Sequence, residues 1–402
     1  MAYRFTPADR GAFKRCRRQW DFGARERQGF EPARPAPTLD LDLAVRGALA
    51  VYYFPGMWDW RRSVVLPLVL QGLARSLGRQ PAAGADDLAA GEALLRRYFE
   101  WAPRVDRFSP IQVEGGFEVN LPDPAGGDRE LVLDDGRPIR YQGRADLLAG
   151  DEHDRYWVVS HRLVDRFGTD DDLLLDEELV AACWAVERFY PGMRVAGTMH
   201  NELLAPAAPA RRRRRLRRPA AVGQHQRGIP QHEPSGGGRS LPYARRGAAR
   251  ARPADPAAMA IQGDGEFRRT RILRDRAELE AMGARLAAEA LEMVDPGLRL
   301  YPSPAPEHCG SCQFVAPCLA MERGDDVRAV LEAGYRDRGP ERVEPGRLGA
   351  ATWGTGRGAA PPRFDAPDSP GDHPGGPPDP PDSPGDHPGG PPDPPGSPGD
   401  HP

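Results

Sequence analysis

Residues 139–163, IRYQGRADLLAGDEHDRYWVVSHRL, set the tightest constraint on what this chain can fold into. Polarity alternates with a period of two on both sides of the polar run GDEHD, so residues 139–149 and 156–164 read as adjacent strands of a hairpin. The period predicts Arg144, Asp146 and Leu148 on one side of the first strand. On the second it sends Trp157, Val159 and His161 one way and Val158, Ser160 and Arg162 the other. Asp146, Ser160 and Arg162 are then expected to converge as a polar pocket.

The elements around the hairpin follow from spacing. Residues 87–101 carry Leu88, Leu95, Tyr98 and Phe99 as a helical stripe, and residues 111–121 alternate as a strand with a bulge at Gly115–Gly116, just after Glu114. Residues 131–133 are expected to extend the sheet. Residues 173–190 form the clearest predicted helix, with Leu175, Leu179, Ala182, Val186 and Phe189 on one side, and residues 194–203 the next strand. Helices are also expected over 7–27 and 40–53. A strand at 267–273 precedes a helix at 275–294 opened by an Asp275-x-x-Glu278 capping arrangement. The order describes an α/β (α+β mixed) chain, a mixed sheet flanked by helices.

Composition enters where this pattern fails. Gly and Pro concentrate in residues 205–265 and 335–402, so the packed part is expected to be 1–204 plus 266–334, with an exposed insertion and a disordered tail of 14-residue DSPGDHPGGPPDPP repeats. His373, His387 and His401 of that tail read as solvated side chains. The net charge of −3 conceals an asymmetry, with thirteen arginines against Glu233 and Asp255 in residues 205–255. The run Arg211, Arg212, Arg213, Arg214 and Arg215 is either a solvated block or a contact to phosphates without sequence specificity. Lys14 is the sole lysine. The N-terminus lacks a secretion signal and the apolar run 64–73 is short and interrupted by Pro67, which predicts a soluble cytoplasmic protein with no membrane partner.

Five cysteines in a reducing compartment point to metal binding, catalysis or burial rather than disulfides. Cys309-x-x-Cys312, followed by Cys318, places three thiolates in a short loop-like segment, as a zinc site or an iron–sulfur cluster requires. Cys16, in an arginine-rich setting that favours thiolate, is the natural fourth ligand and would tie the two ends of the chain together. Cys183 lies mid-helix beside Trp184, where a free cysteine packs.

With these residues in view, the chain resembles the RecB-like branch of the PD-(D/E)XK nuclease superfamily, in particular its iron–sulfur exonucleases related to CRISPR-associated and recombination-helicase nucleases. The resemblance spans residues 5–318 with gaps. The cysteine quartet carries it, with FKRCRRQWDF around Cys16 similar to the family's basic, aromatic N-terminal helix and GRAD at 143–146 to its metal-binding aspartate strand. It implies a restriction-endonuclease-like αβββαβ core, a [4Fe-4S] cluster on Cys16, Cys309, Cys312 and Cys318, with zinc as the alternative, and DNA as a partner bound without sequence specificity. It also implies Mg²⁺ or Mn²⁺ for phosphodiester hydrolysis, for which this chain offers Asp146 and Glu114, with His161 or Glu178 as helpers although alternation places His161 on the opposite face. The chain departs from the pattern where Ser160 takes the place of the second carboxylate, Arg162 that of the lysine, and Arg46 that of an upstream histidine. An always-protonated arginine cannot act as a base. Two expectations follow: a metal-dependent DNA nuclease, exonuclease-like and weakened, with Asp146, Glu114 and Arg162 in its site, or a fold that has lost catalysis and binds DNA or a partner. A bland alternative for Asp146 is an ion pair with Arg162 across the hairpin.

Overall fold

The computed structural model describes residues 2–34, 39–126, 129–206 and 259–339. The arginine run at 211–215, the bulk of the predicted insertion and the repeat tail lie outside the described residues. A seven-stranded mixed sheet forms the centre, in the order β1 (Tyr3–Phe5), β4 (Ile139–Asp151), β5 (Tyr156–Val164), β6 (Val195–Leu204), β8 (Phe267–Leu273), β7 (Met259–Gly263), with β3 (Phe108–Asn120) along the other edge of β4. The β1/β4 and β5/β6 pairs are parallel and the remaining pairs antiparallel. The chain between β5 and β6 holds α6 (Asp170–Leu174) and α7 (Glu177–Phe189).

Two apolar layers sandwich the sheet. One joins α1 (Pro7–Arg15), α2 (Arg17–Gly23), α7 and α8 (Arg276–Val294) to Phe117, Tyr141, Leu148 and Val158. The other joins α3 (Leu41–Tyr52), α4 (Arg62–Gly78) and α5 (Ala85–Val105) to Val113, Leu147, Trp157 and Val159. The hairpin's second strand has the bounds its alternation predicts, and its turn is fastened by Asp151. That carboxylate, fully buried, accepts from the His153 and Arg155 N–H groups, the Arg155 guanidinium and the Trp157 indole, each at 2.9–3.0 Å.

Several elements differ from expectation for identifiable reasons. The helix predicted over 7–27 is two helices, because Cys16 adopts an extended backbone (φ −161°) and ends α1 while starting α2. Asp176 caps α7 through the Leu179 N–H, so the long helix over 173–190 divides and Leu175, expected in the stripe, is 76% exposed. Pro67 does not interrupt its segment. It lies early in α4, where losing one hydrogen bond is outweighed by the buried stripe Val65, Val69, Leu73 and Leu77. The register shift in β3 falls between Pro110 and Gln112, not at Gly115–Gly116. Residues 131–133 contribute only an isolated bridge, Val132 to Pro138. Residues 259–263, assigned to the insertion, pair with β8 as a strand. Asp275 caps α8 as predicted, but the Glu278 carboxylate turns to Arg274 instead of closing the box.

The N- and C-terminal parts of the described chain meet in a small separate core. Phe22 of α2 packs with Phe314 and Leu331, the latter from α11 (Val327–Gly334), and β2 (Phe30–Pro32) pairs with β9 (Tyr335–Asp337). The approach at Gly23 is close, since a Cβ would stand 3.0 Å from the Phe314 ring and that ring would have to give. Of these contacts the Asp151 anchor is the most directly testable. Asp151→Asn keeps the shape but removes a charge that four donors face, and should cost about 2–3 kcal/mol of unfolding free energy in urea titrations. A loss within about 0.5 kcal/mol would show that the turn holds without it.

Candidate functional site

The sheet forks at Asp146. One edge of β4 pairs with β1 over Ile139 to Tyr141 and with β5 over Leu147 to Gly150, and among the described residues no strand pairs that edge in between. A cleft of about 360 Å³ opens at the fork, lined by Asp146, Ser160, Arg162, Arg46, Arg144 and Glu178, among others. The backbone changes hand at the same level. Ala145 and Phe117 pack in the α7 layer, whereas Leu147 and Val113, two and four residues away in sequence, pack in the α3 layer. Glu114, opposite Asp146 between the paired positions Val113↔Leu147 and Gly115↔Ala145, takes the left-handed conformation at φ 52°. A strict period of two therefore fails here, and Leu148 packs in the same layer as Ala145, three residues before it.

The predicted convergence of Asp146, Ser160 and Arg162 on one cleft is observed, but the pairing is not the predicted one. Asp146 Oδ2 accepts from the His161 N–H at 2.9 Å, and its Oδ1 lies 3.7 Å from the Arg46 guanidinium. Arg46 is itself held by Asp42, whose other oxygen accepts from the Leu163 N–H at 2.7 Å. Arg162 donates to Ser160 Oγ at 3.2 Å and pairs with Asp176 at 3.0 Å, so in place of the alternative Asp146–Arg162 ion pair it makes one to the cap of α7. Glu114 is engaged by Arg144 at 2.9 Å. Burial pushes the Asp146 carboxyl up to about 6, with the Glu114 charge adding to it, while the His161 N–H, Arg46 and Arg162 pull the other way.

These donors do not fit a divalent cation. A hard metal ion wants several anionic or neutral oxygens. Here one carboxylate has a guanidinium beside it, the second is given to Arg144, and the serine oxygen already accepts from Arg162. Among the described residues no group of three or more His, Cys, Asp or Glu side chains stands as a site for a metal ion.

Behind the fork lies a polar network in the α3 layer that alternation did not reveal. Arg269, fully buried, pairs with Asp106 and donates to the hydroxyls of Tyr53 and Tyr98, each at 2.8 Å, and to Asn201 Oδ1 at 3.1 Å. Since arginine only donates, the Asn201 amide nitrogen must face Tyr98 and His161 Nδ1, at 2.9 Å each. His161 therefore carries its proton on Nε2. Burial, then Arg269 and Arg46, lower its pKa to about 3, so it is neutral, and its ring stacks on Tyr53 at 5.2 Å. It lies on the face opposite Ser160 and Arg162, as predicted. The only signal for this network in the sequence was an arginine at an inward position of a strand.

Cys312 packs against the small terminal core, and Cys16, Cys309 and Cys318 lie close enough to act on its charge. Cys309 ends α9 (Pro306–Cys309), and Cys318 lies in α10 (Val315–Arg323), so the segment is more helical than expected. The sulfurs of Cys16, Cys309 and Cys312 face the N–H groups of Ser303, Ala305 and Phe314, each at 3.4 Å, and that of Cys318 faces the Arg18 guanidinium at 3.6 Å. Burial raises the Cys312 pKa, and the nearby Cys16, Cys309 and Cys318 raise it further. Cys183 stands apart, buried in α7 with its thiol towards the Gly197 carbonyl.

No family model matches the sequence and no curated protein matches it. A solved structure titled "Crystal structure of SSO0001" is similar over 72% of this chain and 88% of that chain, at 14% identity and a TM-score of 0.25. A likeness that slight carries no argument about activity. Among the described residues no helix is long and apolar enough to cross a membrane.

The raised Asp146 carboxyl has a measurable consequence. Its ordinary value is 3.8, so the folded chain binds a proton that the unfolded chain has released, and stability falls as pH rises from about 4 to about 6. Asp146→Asn should therefore be more stable than wild type at pH 8, by roughly 1–3 kcal/mol, with the gain gone below about pH 4. A variant less stable than wild type at pH 8 would contradict this placement.

Proposed function

We propose that this chain is a nucleic-acid-binding protein built on a RecB-like, restriction-endonuclease-type framework whose cleaving site is lost, and that Cys16, Cys309, Cys312 and Cys318 hold a [4Fe-4S] cluster. The observation that carries the first half is the Arg46 guanidinium. Clamped by Asp42 and 3.7 Å from Asp146 Oδ1, it supplies a fixed positive charge at the carboxylate on which the family would seat its metal. Arg46, Arg144 and Arg162 line the cleft with side chains 35%, 52% and 44% exposed. Each is held by a carboxylate on one edge and retains further N–H donors for phosphate oxygens. Asp146 opposes an anion until it is protonated, so DNA affinity should rise as pH falls through about 6.

For the second half, the support is the donor set. Cys16, Cys309 and Cys318 lie close enough to Cys312 to act on its charge, and each of the four sulfurs faces an N–H donor. One zinc ion, with Zn–S bonds of about 2.3 Å, would hold its sulfurs only about 3.8 Å apart. A cubane cluster spreads the same four sulfurs more widely. When bound, the cluster would cross-link α2 to the segment around α9 and α10. Residual nuclease activity is the second reading, favoured by Asp146 and Glu178 opening onto the same cleft.

Three measurements test these statements. Anaerobically purified protein should be brown and lose its visible absorbance in Cys16→Ala or Cys309→Ala; stoichiometric zinc without iron would remove the cluster. Wild type should leave single- and double-stranded DNA intact with Mg²⁺ or Mn²⁺, and robust cleavage abolished by Asp146→Ala or Glu178→Gln would establish the second reading instead. Rebuilding the site should require Arg46→His along with Ser160→Glu and Arg162→Lys, because the two hairpin changes alone leave the guanidinium in place. A metal contributes several kcal/mol in the transition state, so the triple variant should outpace wild type by on the order of a hundredfold or more.

A further inference from the structure

The connection between α3 and α4 displays a tryptophan that the fold does not use. Trp60 is 50% exposed, and the two residues after it, Arg61 and Arg62, are exposed as well. Arg107, which precedes Phe108, is exposed beside this loop and bonds only to the Asp106 carbonyl through its guanidinium. Among the described residues none of the three arginines pairs with a carboxylate, and the one acidic neighbour in the loop is Asp59. Local charge is therefore positive.

The loop is also fixed in place. Met57, Trp58 and Trp60 donate their N–H groups to the carbonyls of Phe54, Pro55 and Met57 at 2.9, 3.3 and 3.0 Å, and Met57 is buried. Trp58 stacks on Phe108 (6.4 Å, 14° between planes) and on Tyr53 (5.8 Å, 23°), and Tyr53 stacks on His161, whose N–H holds Asp146. An aromatic column thus runs from the loop to the fork of the sheet.

We propose that this loop is a stacking platform for single-stranded nucleic acid, with Trp60 against one base and Arg61, Arg62 and Arg107 on the flanking phosphates. The proposal rests on the nucleic-acid reading above and deepens it by naming the strandedness. An indole face needs an unpaired base, which a duplex keeps inside its stack, and arginines without carboxylate partners suit a phosphate backbone. Every base has a face to stack, so little sequence preference is expected. A rigid loop pays less ordering entropy than a mobile one on binding.

The test uses the full chain, a fluorescein-labelled oligothymidine and a labelled duplex, with fluorescence anisotropy read across a salt series. Trp60→Ala should weaken single-strand binding roughly tenfold, and Trp60→Phe should recover most of the loss. Arg61→Gln combined with Arg62→Gln should lower the slope of log affinity against log salt by about 1.4, at about 0.7 per phosphate contact. Thermal melts of each variant separate these effects from misfolding. If wild type binds the oligothymidine and Trp60→Ala binds it equally well, the platform is refuted while the nucleic-acid reading stands. If wild type binds neither DNA, that reading falls and the platform with it. Dimerisation that Trp60→Ala abolishes, with DNA affinity unchanged, would assign the loop to protein contact and overturn the proposal.

Discussion

A single hydrogen bond, from the His161 N–H to the Asp146 carboxylate, closes what would otherwise be a torn sheet. Beyond Leu147 the two central strands part, and the ladder loses a partner for that amide. A buried amide left without an acceptor is costly, so the side chain takes the role that a backbone carbonyl plays elsewhere in the hairpin. The cleft, the raised carboxyl and the approach of Arg46 all follow from this substitution. Asp146 is thus structurally committed.

Charge around that carboxylate is arranged as a chain of local neutralisations. Asp42 answers Arg46, Glu114 answers Arg144, and Asp176 answers Arg162. Each arginine is fixed by a residue from a different element, the first turn of α3, the distorted point of β3 and the cap of α7. Such pairs at partly exposed positions contribute little to stability individually. Their effect is to set orientation, keeping three guanidinium groups at one opening.

Much of the framework was legible because it depends on short-range periodicity. The second hairpin strand and the stripes of α5 and α8 could be read from spacing, as could the opposition of His161 to Ser160. What spacing could not supply was anything fixed by a partner distant in sequence. Arg162 chooses Asp176 because a helix cap brings that carboxylate back over the strand, and Pro67 is tolerated because α4 buries its stripe against α3. The exchange of faces at Asp146 depends on Glu114 adopting a backbone that its residue type gives no reason to expect. Arg269 looked like any strand arginine, and only Asp106, Tyr53, Tyr98 and Asn201 explain its burial.

The meeting of Phe22 with Phe314 imposes an order in time as well as in space. A ribosome adds roughly 5–20 residues per second, so about 290 residues separating the two phenyl rings correspond to roughly 15–60 s of synthesis. Throughout that interval α2 and Cys16 have emerged without the residues that will cover them, while the α3 layer already has most of its helices.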